Sequence, residues 1–324
     1  MDEAIEQFLS ITNTDSRDMA EYYLNVSNGD LQMALGMVYE DGGASSSKTE
    51  VKKSDNDCVI VDDLKPNITV LEWNIQGLLG DYLQERTVAV VNTIRQYSPT
   101  VVMLQEVILE TYLYMKSALK STYTGFSPSE ISSQCGQYFT CIFINKSLFK
   151  SCTAKVVSFS GSRQGRDILI VEGKCHNLDV AVLTSHLEST KTGEQERKRQ
   201  LGILYSTMMQ FPSASTVIFG GDTNLRDAEF TSVVHSGKFD ATLVKDIWEI
   251  LGSPQDVRYS WDLQNNDNQV KDGKARLRFA RMYTRVETSK QHFKPTEMRF
   301  VGMKRLSCGM FPSDHWGILT SFSV

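Results

Sequence analysis

Two polar runs that follow apolar stretches hold residue types suited to phosphate-ester chemistry. They are Gly220-Gly221-Asp222-Thr223-Asn224-Leu225-Arg226-Asp227 and Phe311-Pro312-Ser313-Asp314-His315-Trp316-Gly317. An imidazole beside a carboxylate, with Asp and Asn two residues apart elsewhere, suits attack on a phosphate ester. Three further strand ends add Asn74 in Leu71-Glu72-Trp73-Asn74-Ile75, Glu106 in Leu104-Gln105-Glu106-Val107, and His186 in Thr184-Ser185-His186-Leu187-Glu188-Ser189. Singly, each has a plain reading: a solvated loop acid, a core histidine, an Asn capping a turn. Together they gather hard oxygen ligands and imidazoles at strand ends. Glu106 with Asn74 can offer Mg²⁺ the one or two protein oxygens it accepts beside waters and phosphate. His186 and His315 can donate hydrogen bonds to phosphoryl oxygens as charge develops. Asp222 and Asn224, read as extended chain, project to one side and can orient and deprotonate a water. Gly220 and Gly221 are expected to let the backbone crowd the metal site without a Cβ.

Positioning such a site takes a large scaffold, and the chain's 324 residues suffice for one big domain and a small one. From residue 68 the pattern alternates strands and helices. Strands are expected at 68–75, 100–105, 140–144, 168–172, 178–185, 215–220, 298–302 and 316–321, and helices at 83–96, 109–119 and 194–209. Short strands interleaved with long helices predict two packed sheets flanked by helices. Residues 265–273 are polar and read as a surface loop. The first 43 residues read as three short helices. Ile5, Phe8 and Leu9 mark one face, Met19, Tyr22, Tyr23 and Val26 a second, and Leu31, Ala34, Leu35 and Val38 a third. So small a unit has little room for catalysis and should be a docking module. The chain is Gly/Ser-rich and then charged over 42–67, so 44–67 read as a flexible linker.

Charge separates the two parts. Residues 1–67 hold 14 acids and 5 bases, a net of −9, which leaves 25 acids and 29 bases, a net of +4, for 68–324. A mildly basic large part beside an acidic small one suggests modules with different partners. No window approaches 18 apolar residues, so no transmembrane helix and no membrane partner are expected. Asp2, Glu3 and Glu6 oppose the sign of a signal peptide's first region. Six cysteines without CxxC spacing fit a reducing compartment.

Three resemblances add to this reading. Ile11-Thr12-Asn13-Thr14-Asp15, Asn28-Gly29-Asp30-Leu31 and Val38-Tyr39-Glu40-Asp41-Gly42-Gly43 resemble a ubiquitin-associated (UBA-like) domain, which implies ubiquitin as a partner of residues 1–43. In the linker, Cys58-Val59-Ile60-Val61-Asp62-Asp63 resembles a SUMO-interacting motif, able to add as a strand to a partner's sheet edge; packing on its own catalytic domain is the alternative. Residues 68–324 resemble the endonuclease/exonuclease/phosphatase superfamily, a four-layer α/β sandwich. Trp73-Asn74-Ile75-x-Gly77-Leu78, Ser185-His186-Leu187-Glu188-Ser189-Thr190, Gly221–Asp227, Tyr259-x-Trp261-Asp262 and Pro312–Gly317 carry the match. They look most like a branch that frees DNA 5′ ends from tyrosyl adducts of the topoisomerase II type.

The resemblance implies that Glu106, with Asn74 nearby, holds Mg²⁺, with Mn²⁺ a substitute. It makes Asp222, assisted by Asn224, the activator of water, and has His186 and His315 stabilise a phosphorane-like transition state, with Asp314 beside the metal network. Ser189, Thr190, Lys191, Arg226 and Trp261 would line the DNA groove, with Tyr138 near the tyrosine-derived group; Lys191 stands where the family has an Arg. A 5′-phosphate product in DNA repair, a nuclear address with the cytoplasm second, and a monomer complete these expectations. Rival readings are an abasic-site endonuclease, a phosphoinositide phosphatase, or a ubiquitin- and SUMO-reading adaptor with a weakened catalytic domain.

One departure motivates the last of these. In Leu277-Arg278-Phe279-Ala280-Arg281 the superfamily usually has Asp in place of Ala280, bonded to the catalytic His and fixing its tautomer. His315 lacks that partner unless another carboxylate, such as Asp262, serves. Ala280→Asp is therefore expected to raise turnover or shift its pH profile. Identical kinetics in both proteins across roughly pH 6–9, which brackets an ordinary imidazole, would refute this.

Overall fold

In the computed structural model the chain divides into two units, residues 1–66 and 67–324. The structure describes residues 2–12, 17–26, 31, 34, 67–131, 137–236, 242–286 and 292–324. In the first unit, helices Asp2–Thr12 and Arg17–Val26 pack through buried Ile5, Phe8, Ala20, Tyr23 and Leu24, joined by Ala34. Phe8 and Tyr23 stack with ring centroids 5.7 Å apart. The side chains of Met19, Tyr22 and Val26 lie outside the described residues, as do Leu35, Val38, the linker to residue 66 and the SUMO-type segment Cys58–Asp63.

The second unit is built from two mixed sheets, each of six strands among the described residues. One runs in the order β13 (Lys294–Val301), β14 (Gly317–Ser323), β1 (Asn67–Asn74), β2 (Val101–Val107), β4 (Phe139–Asn145), β3 (Tyr123–Phe126). The other runs β5 (Phe149–Ser158), β6 (Asp167–Cys175), β7 (Leu178–His186), β8 (Thr216–Asp222), β12 (Ala280–Arg285), β9 (Val244–Asp246). A two-stranded ribbon, β10 (Trp261–Asp262) and β11 (Arg276–Leu277), stands beside them. Each sheet has one parallel pair, β1 with β2 and β7 with β8. Their crossover helices, Leu83–Tyr97 and Glu194–Met209, lie where the sequence places them.

Alternation along buried strands explains the layers. In β1, Ile68 and Val70 join the core between the sheets, while Leu71 and Trp73 face the helices. In β8, Ile218 points between the sheets and Val217 and Phe219 point outward under helix Glu194–Met209. Trp73 is fully buried and donates its indole N–H to His315 O at 2.8 Å, so the core residue beside Asn74 also fixes the histidine's backbone. Truncating such a side chain costs about 3–5 kcal/mol.

Three sequence expectations need correction. Residues 265–273 are a loop, but not simply a surface one. Asn266 is buried and donates to Ser313 O at 2.8 Å, and Asn268 donates to Phe311 O at 2.8 Å, so the loop supports the Asp314–His315 segment. The glycine pair does not make room for a metal. A Cβ on Gly221 would lie 2.2 Å from Ser185 O, and one on Gly220 would lie 3.0 Å from Met103 Sδ and 3.1 Å from Glu72 Cγ. They are small because the neighbouring strand and the facing sheet press on them. Asn224 is not on extended chain: β8 ends at Asp222, and Asn224 has φ 52°, a left-handed conformation that Asn tolerates.

Glu72 is the odd member of the core. It is fully buried, and neither carboxyl oxygen has a hydrogen-bond partner among the described residues. Burial first, and the charge of Asp222 second, push it well above the usual carboxylate range, so it is held as a neutral acid. The folded state keeps a proton that the unfolded chain releases, so this group's contribution to stability declines as pH rises past the ordinary value. Glu72→Met is expected to stabilise the fold by about 1–3 kcal/mol at pH 7. The gain should be larger near pH 8 than near pH 5. Urea unfolding at the three pH values measures it, and a loss, or a gain independent of pH, would show that Glu72 is ionised and paired.

Candidate active site

The C-terminal ends of β1, β2, β7 and β8 and the N-terminal end of β14 meet at one edge of the sandwich. They bring together Asn74, Glu106, His186, Asp222 and His315, with Asp314 and Asn224 adjoining. Asp222 is at the centre. Its Oδ2 lies 3.5 Å from His186 Nε2 and 3.7 Å from His315 Nε2, and accepts from Asn74 Nδ2 at 2.9 Å. Its Oδ1 accepts from the Asn224 N–H at 3.0 Å, and the left-handed turn at Asn224 aims that N–H back at the carboxylate. The Asn224 side chain donates to Leu187 O at 3.3 Å.

Asn74 also donates to Glu106 Oε1 at 3.0 Å, while its own oxygen accepts from Gln76 N–H at 3.0 Å. It therefore enters the site as an N–H donor holding two carboxylates, not as a second oxygen ligand. Glu106 itself sits at an irregularity of β2 with φ 54°. Its carbonyl accepts from Gly77 N–H at 3.1 Å, and a Cβ on Gly77 would stand 2.1 Å from that oxygen. This close approach accounts for the glycine in Asn74-Ile75-x-Gly77.

Asp314 is fixed by Gln76 Oε1, which accepts its N–H at 3.1 Å, and by the Trp261 indole, which donates to Asp314 Oδ2 at 3.2 Å. The Ser313 hydroxyl donates to Asn74 O at 2.6 Å and accepts from His315 N–H at 3.1 Å, so Ser313 belongs to the scaffold. Nδ1 of both His186 and His315 is buried without a partner among the described residues. Asp262 does not serve His315. It accepts from Gln264 N–H, from Asn265 Nδ2 at 2.8 Å and from Arg276 at 2.9 Å. Ala280 sits opposite Asp222 in register and donates its N–H to Ser260 Oγ at 2.9 Å, beside the Trp261–His315 bridge.

The substrate-side residues are distributed unevenly. Tyr138 faces His186 with ring centroids 6.3 Å apart, and the Arg166 guanidinium lies 4.9 Å over the Tyr138 ring. Arg166 was not anticipated; it follows Gly165 in a polar loop and has no motif around it. Trp261 packs on Phe279 with centroids 5.4 Å apart. Ser189 donates its N–H to Gln164 Oε1 at 2.7 Å, and Arg226 ends the loop after β8 as the N-cap of helix Asp227–Val234. Lys191 is exposed in a short turn and touches none of the central group.

Donor chemistry fits a divalent cation. Ligand atoms of Glu106, His186 and Asp222 all lie within 4.8 Å of one another. Glu106 is pushed up by burial, against the Asn74 hydrogen bond, and the charges of Asp314 and Asp222 add to the rise. Acids crowded in this way call for positive charge between them. Burial would raise Asp222 too, but the facing imidazoles, the Asn74 amide and the Asn224 N–H outweigh it and hold Asp222 below its ordinary value.

His186 is pulled down to about 3, by burial first and by the Arg166 charge second. Between its ordinary value of 6.5 and about 3, the unfolded chain binds this proton and the folded one does not, so stability falls with pH across that window. Acidifying the metal-free protein from pH 6.5 to about 5 should cost about 2 kcal/mol through His186. His186→Gln should flatten that part of the profile. Urea unfolding in chelator checks this, and equal losses in both proteins would remove the assignment.

Comparison with known proteins places this geometry. Residues 2–45 match a UBA-like domain, and residues 71–281 match the Endonuclease/Exonuclease/phosphatase family. Tyrosyl-DNA phosphodiesterase 2 of Gallus gallus is 38% identical over 80% of this chain and 67% of its own length. That of Bos taurus is 32% identical over 98% of this chain and 91% of its own. The solved structure of Danio rerio TDP2 complexed with single strand DNA product superimposes with a TM-score of 0.73 at 34% identity, over 80% of this chain and 99% of that one. Caenorhabditis elegans TDP2 gives 0.69 at 31% identity, over 100% and 93%. With both the two-sheet scaffold and these relatives in common, the chain belongs to the Endonuclease/Exonuclease/phosphatase family, in the branch of the tyrosyl-DNA phosphodiesterases 2.

Proposed function

We propose that this phosphodiesterase hydrolyses the bond between a tyrosine oxygen and the 5′-phosphate of a DNA strand, leaving a 5′-phosphate and a free tyrosyl side chain. The observation that carries the substrate is the aromatic and cationic wall around the phosphate site. Tyr138 beneath Arg166 flanks His186, and Trp261 on Phe279 reaches Asp314 from the β10–β11 ribbon. An aryl ester needs an apolar face and a cation near its departing oxygen, and a single strand needs a surface on which a base can stack.

Asp222, aligned by Asn224, takes a proton from water as the water oxygen bonds to phosphorus and the bond to the phenolic oxygen breaks. His186 and His315 each offer an N–H to the phosphoryl oxygens, and Asn74 keeps Glu106 and Asp222 in place. With an ordinary pKa near 10, a phenol leaves as phenolate with little need for a general acid. Glu106 would hold the Mg²⁺, which draws charge from a phosphate oxygen when bound. Ser189, Thr190, Arg226 and Trp261 would hold the strand. Nuclear placement, ubiquitin binding through residues 1–43 and SUMO binding through Val59–Asp63 belong to the same proposal, supported by resemblance.

A 5′-tyrosyl oligonucleotide, an abasic duplex and a phosphoinositide, each incubated with and without Mg²⁺, test this reading. Product is expected from the first alone and only with the ion. Glu106→Ala and Asp222→Ala should each lower kcat by about 10²-fold or more. Product from the abasic duplex or lipid instead would favour those rivals, and no product from any substrate would favour the adaptor.

A further inference from the structure

Ser189 and Thr190 follow β7, whereas Arg226 follows β8, so the proposed strand-holding groups stand on two separate loops. A fully buried residue behind them joins the two. Arg197 Nη1 donates to Glu188 O at 2.9 Å and to Thr190 O at 2.8 Å. Its Nε and Nη2 donate to Glu229 Oε2 and Oε1 at 3.0 and 2.8 Å. Glu229 in turn accepts the Arg226 N–H at 3.0 Å and Arg226 Nη1 at 3.4 Å. One guanidinium and one carboxylate thus span both loops.

Thr190 shows that the span is not idle. Its φ of 67° and ψ of 165° lie in a region that essentially only glycine occupies, and it is β-branched. Holding it there stores backbone strain that surrounding contacts must offset. Arg197 supplies one of them at the Thr190 carbonyl. On the solvent side the same loop lines a cavity of about 430 Å³ together with Arg163 and Gln164. A buried ion pair is weak evidence for stability, since apolar side chains of similar volume often replace one at little cost. Its value here lies in geometry.

We propose that Arg197, acting through Glu229, is a positioning residue that sets the distance between the Ser189–Thr190 hook and Arg226, so that grip on the DNA strand depends on it while the chemical step does not. The inference rests on the strand running along those residues. A planar fork makes these bonds and a Lys ammonium cannot make them all, so Arg197→Lys keeps the charge and loses the span.

The test measures fluorescence anisotropy of a 5′-phosphorylated single strand, and KM and kcat for a 5′-tyrosyl oligonucleotide and for the p-nitrophenyl ester of one 5′-nucleotide. For Arg197→Lys the strand's Kd and the oligonucleotide's KM should rise about tenfold. Its kcat, and both constants for the short ester, should stay within roughly twofold of wild type, since the short ester lacks the strand that Ser189, Thr190 and Arg226 would hold. The Arg197→Met/Glu229→Met double variant should melt near wild type and show the same rise. Thr190→Gly, in which the strained backbone is freely allowed, should also weaken the strand with no loss of melting temperature. Equal losses on both substrates, or an unchanged Kd in folded variants, would overturn the role of Arg197. Wild-type protein that does not bind the strand at all would remove the underlying reading instead.

Discussion

The site depends on the two hydrogen bonds that Asn74 gives to Glu106 and Asp222, one carboxylate from each sheet. Two carboxylates about 5 Å apart near a protein surface repel by about 3 kcal/mol at an effective dielectric of 20. Each charge-assisted bond returns about 1.5–3 kcal/mol. The pair is therefore held with little to spare, and Asp314 adds a third acid to the same group. Glu106, the more exposed partner, is pushed up by burial first, with the charges of Asp314 and Asp222 adding to the rise, while Asp222 is held down. A cation placed among these acids would tip the balance decisively. The arrangement thus holds the edges of two sheets together with a modest force and leaves charge demand at its mouth.

That balance needs rigid surroundings, and the polar layer grades into the core by a single residue per strand. Below Asn74 on β1 comes Glu72 and then Val70; below Asp222 on β8 comes Gly220 and then Ile218. Glu72 stays neutral, so it adds no full negative charge beneath Asp222. Gln105, one strand over, donates to Thr184 Oγ1 across the sheets at 3.0 Å. The sheets are therefore linked by polar contacts at the site and by apolar packing below it. Trp73 couples the layers, because it fills the outer core and grips the His315 carbonyl.

Much of this was legible in the sequence, for an identifiable reason. Strands buried on both faces read as continuous apolar runs, so β1, β2, β4, β7 and β8 could be placed and their polar ends recognised. What was missed carried charge in the core. β12, Ala280-Arg281-Met282-Tyr283-Thr284-Arg285, is buried throughout, yet its arginines broke the apolar pattern. Arg281 is buried because it meets Asp227 at 2.7 Å, and Arg285 because it donates to Phe211 O at 2.6 Å and Ser215 O at 3.0 Å. No local pattern announces such partners. β5 was missed because it is an edge strand with alternate residues exposed and a register shift between Lys150 and Thr153. Arg166 escaped because its role comes from a ring on another loop.

The buried arginines follow a rule that joins fold to function. Arg86 is the fourth residue of helix Leu83–Tyr97, which links parallel strands β1 and β2; Arg197 is the fourth residue of helix Glu194–Met209, which links β7 and β8. Both turn back from the first helical turn to carbonyls of the loop just before it. Arg86 donates to Ile75 O at 3.3 Å and Gln76 O at 3.2 Å, and reaches Pro312 O at 3.3 Å on the loop that carries His315. Loops at a sheet edge expose carbonyls that the ladder cannot satisfy, and a crossover helix begins within reach of them. A five-donor fork can satisfy several at once. In each half of the sandwich one arginine therefore joins the loop after a parallel strand to a second loop at the rim. The two halves differ in what balances the charge. Arg197 has Glu229 in direct contact, whereas among the described residues Arg86 donates to carbonyls alone, and burial pulls it below its ordinary value even with Asp314 opposing. Arg86 can go without a private carboxylate because Asp314 and Glu106, the site acids on its own half, supply counter-charge.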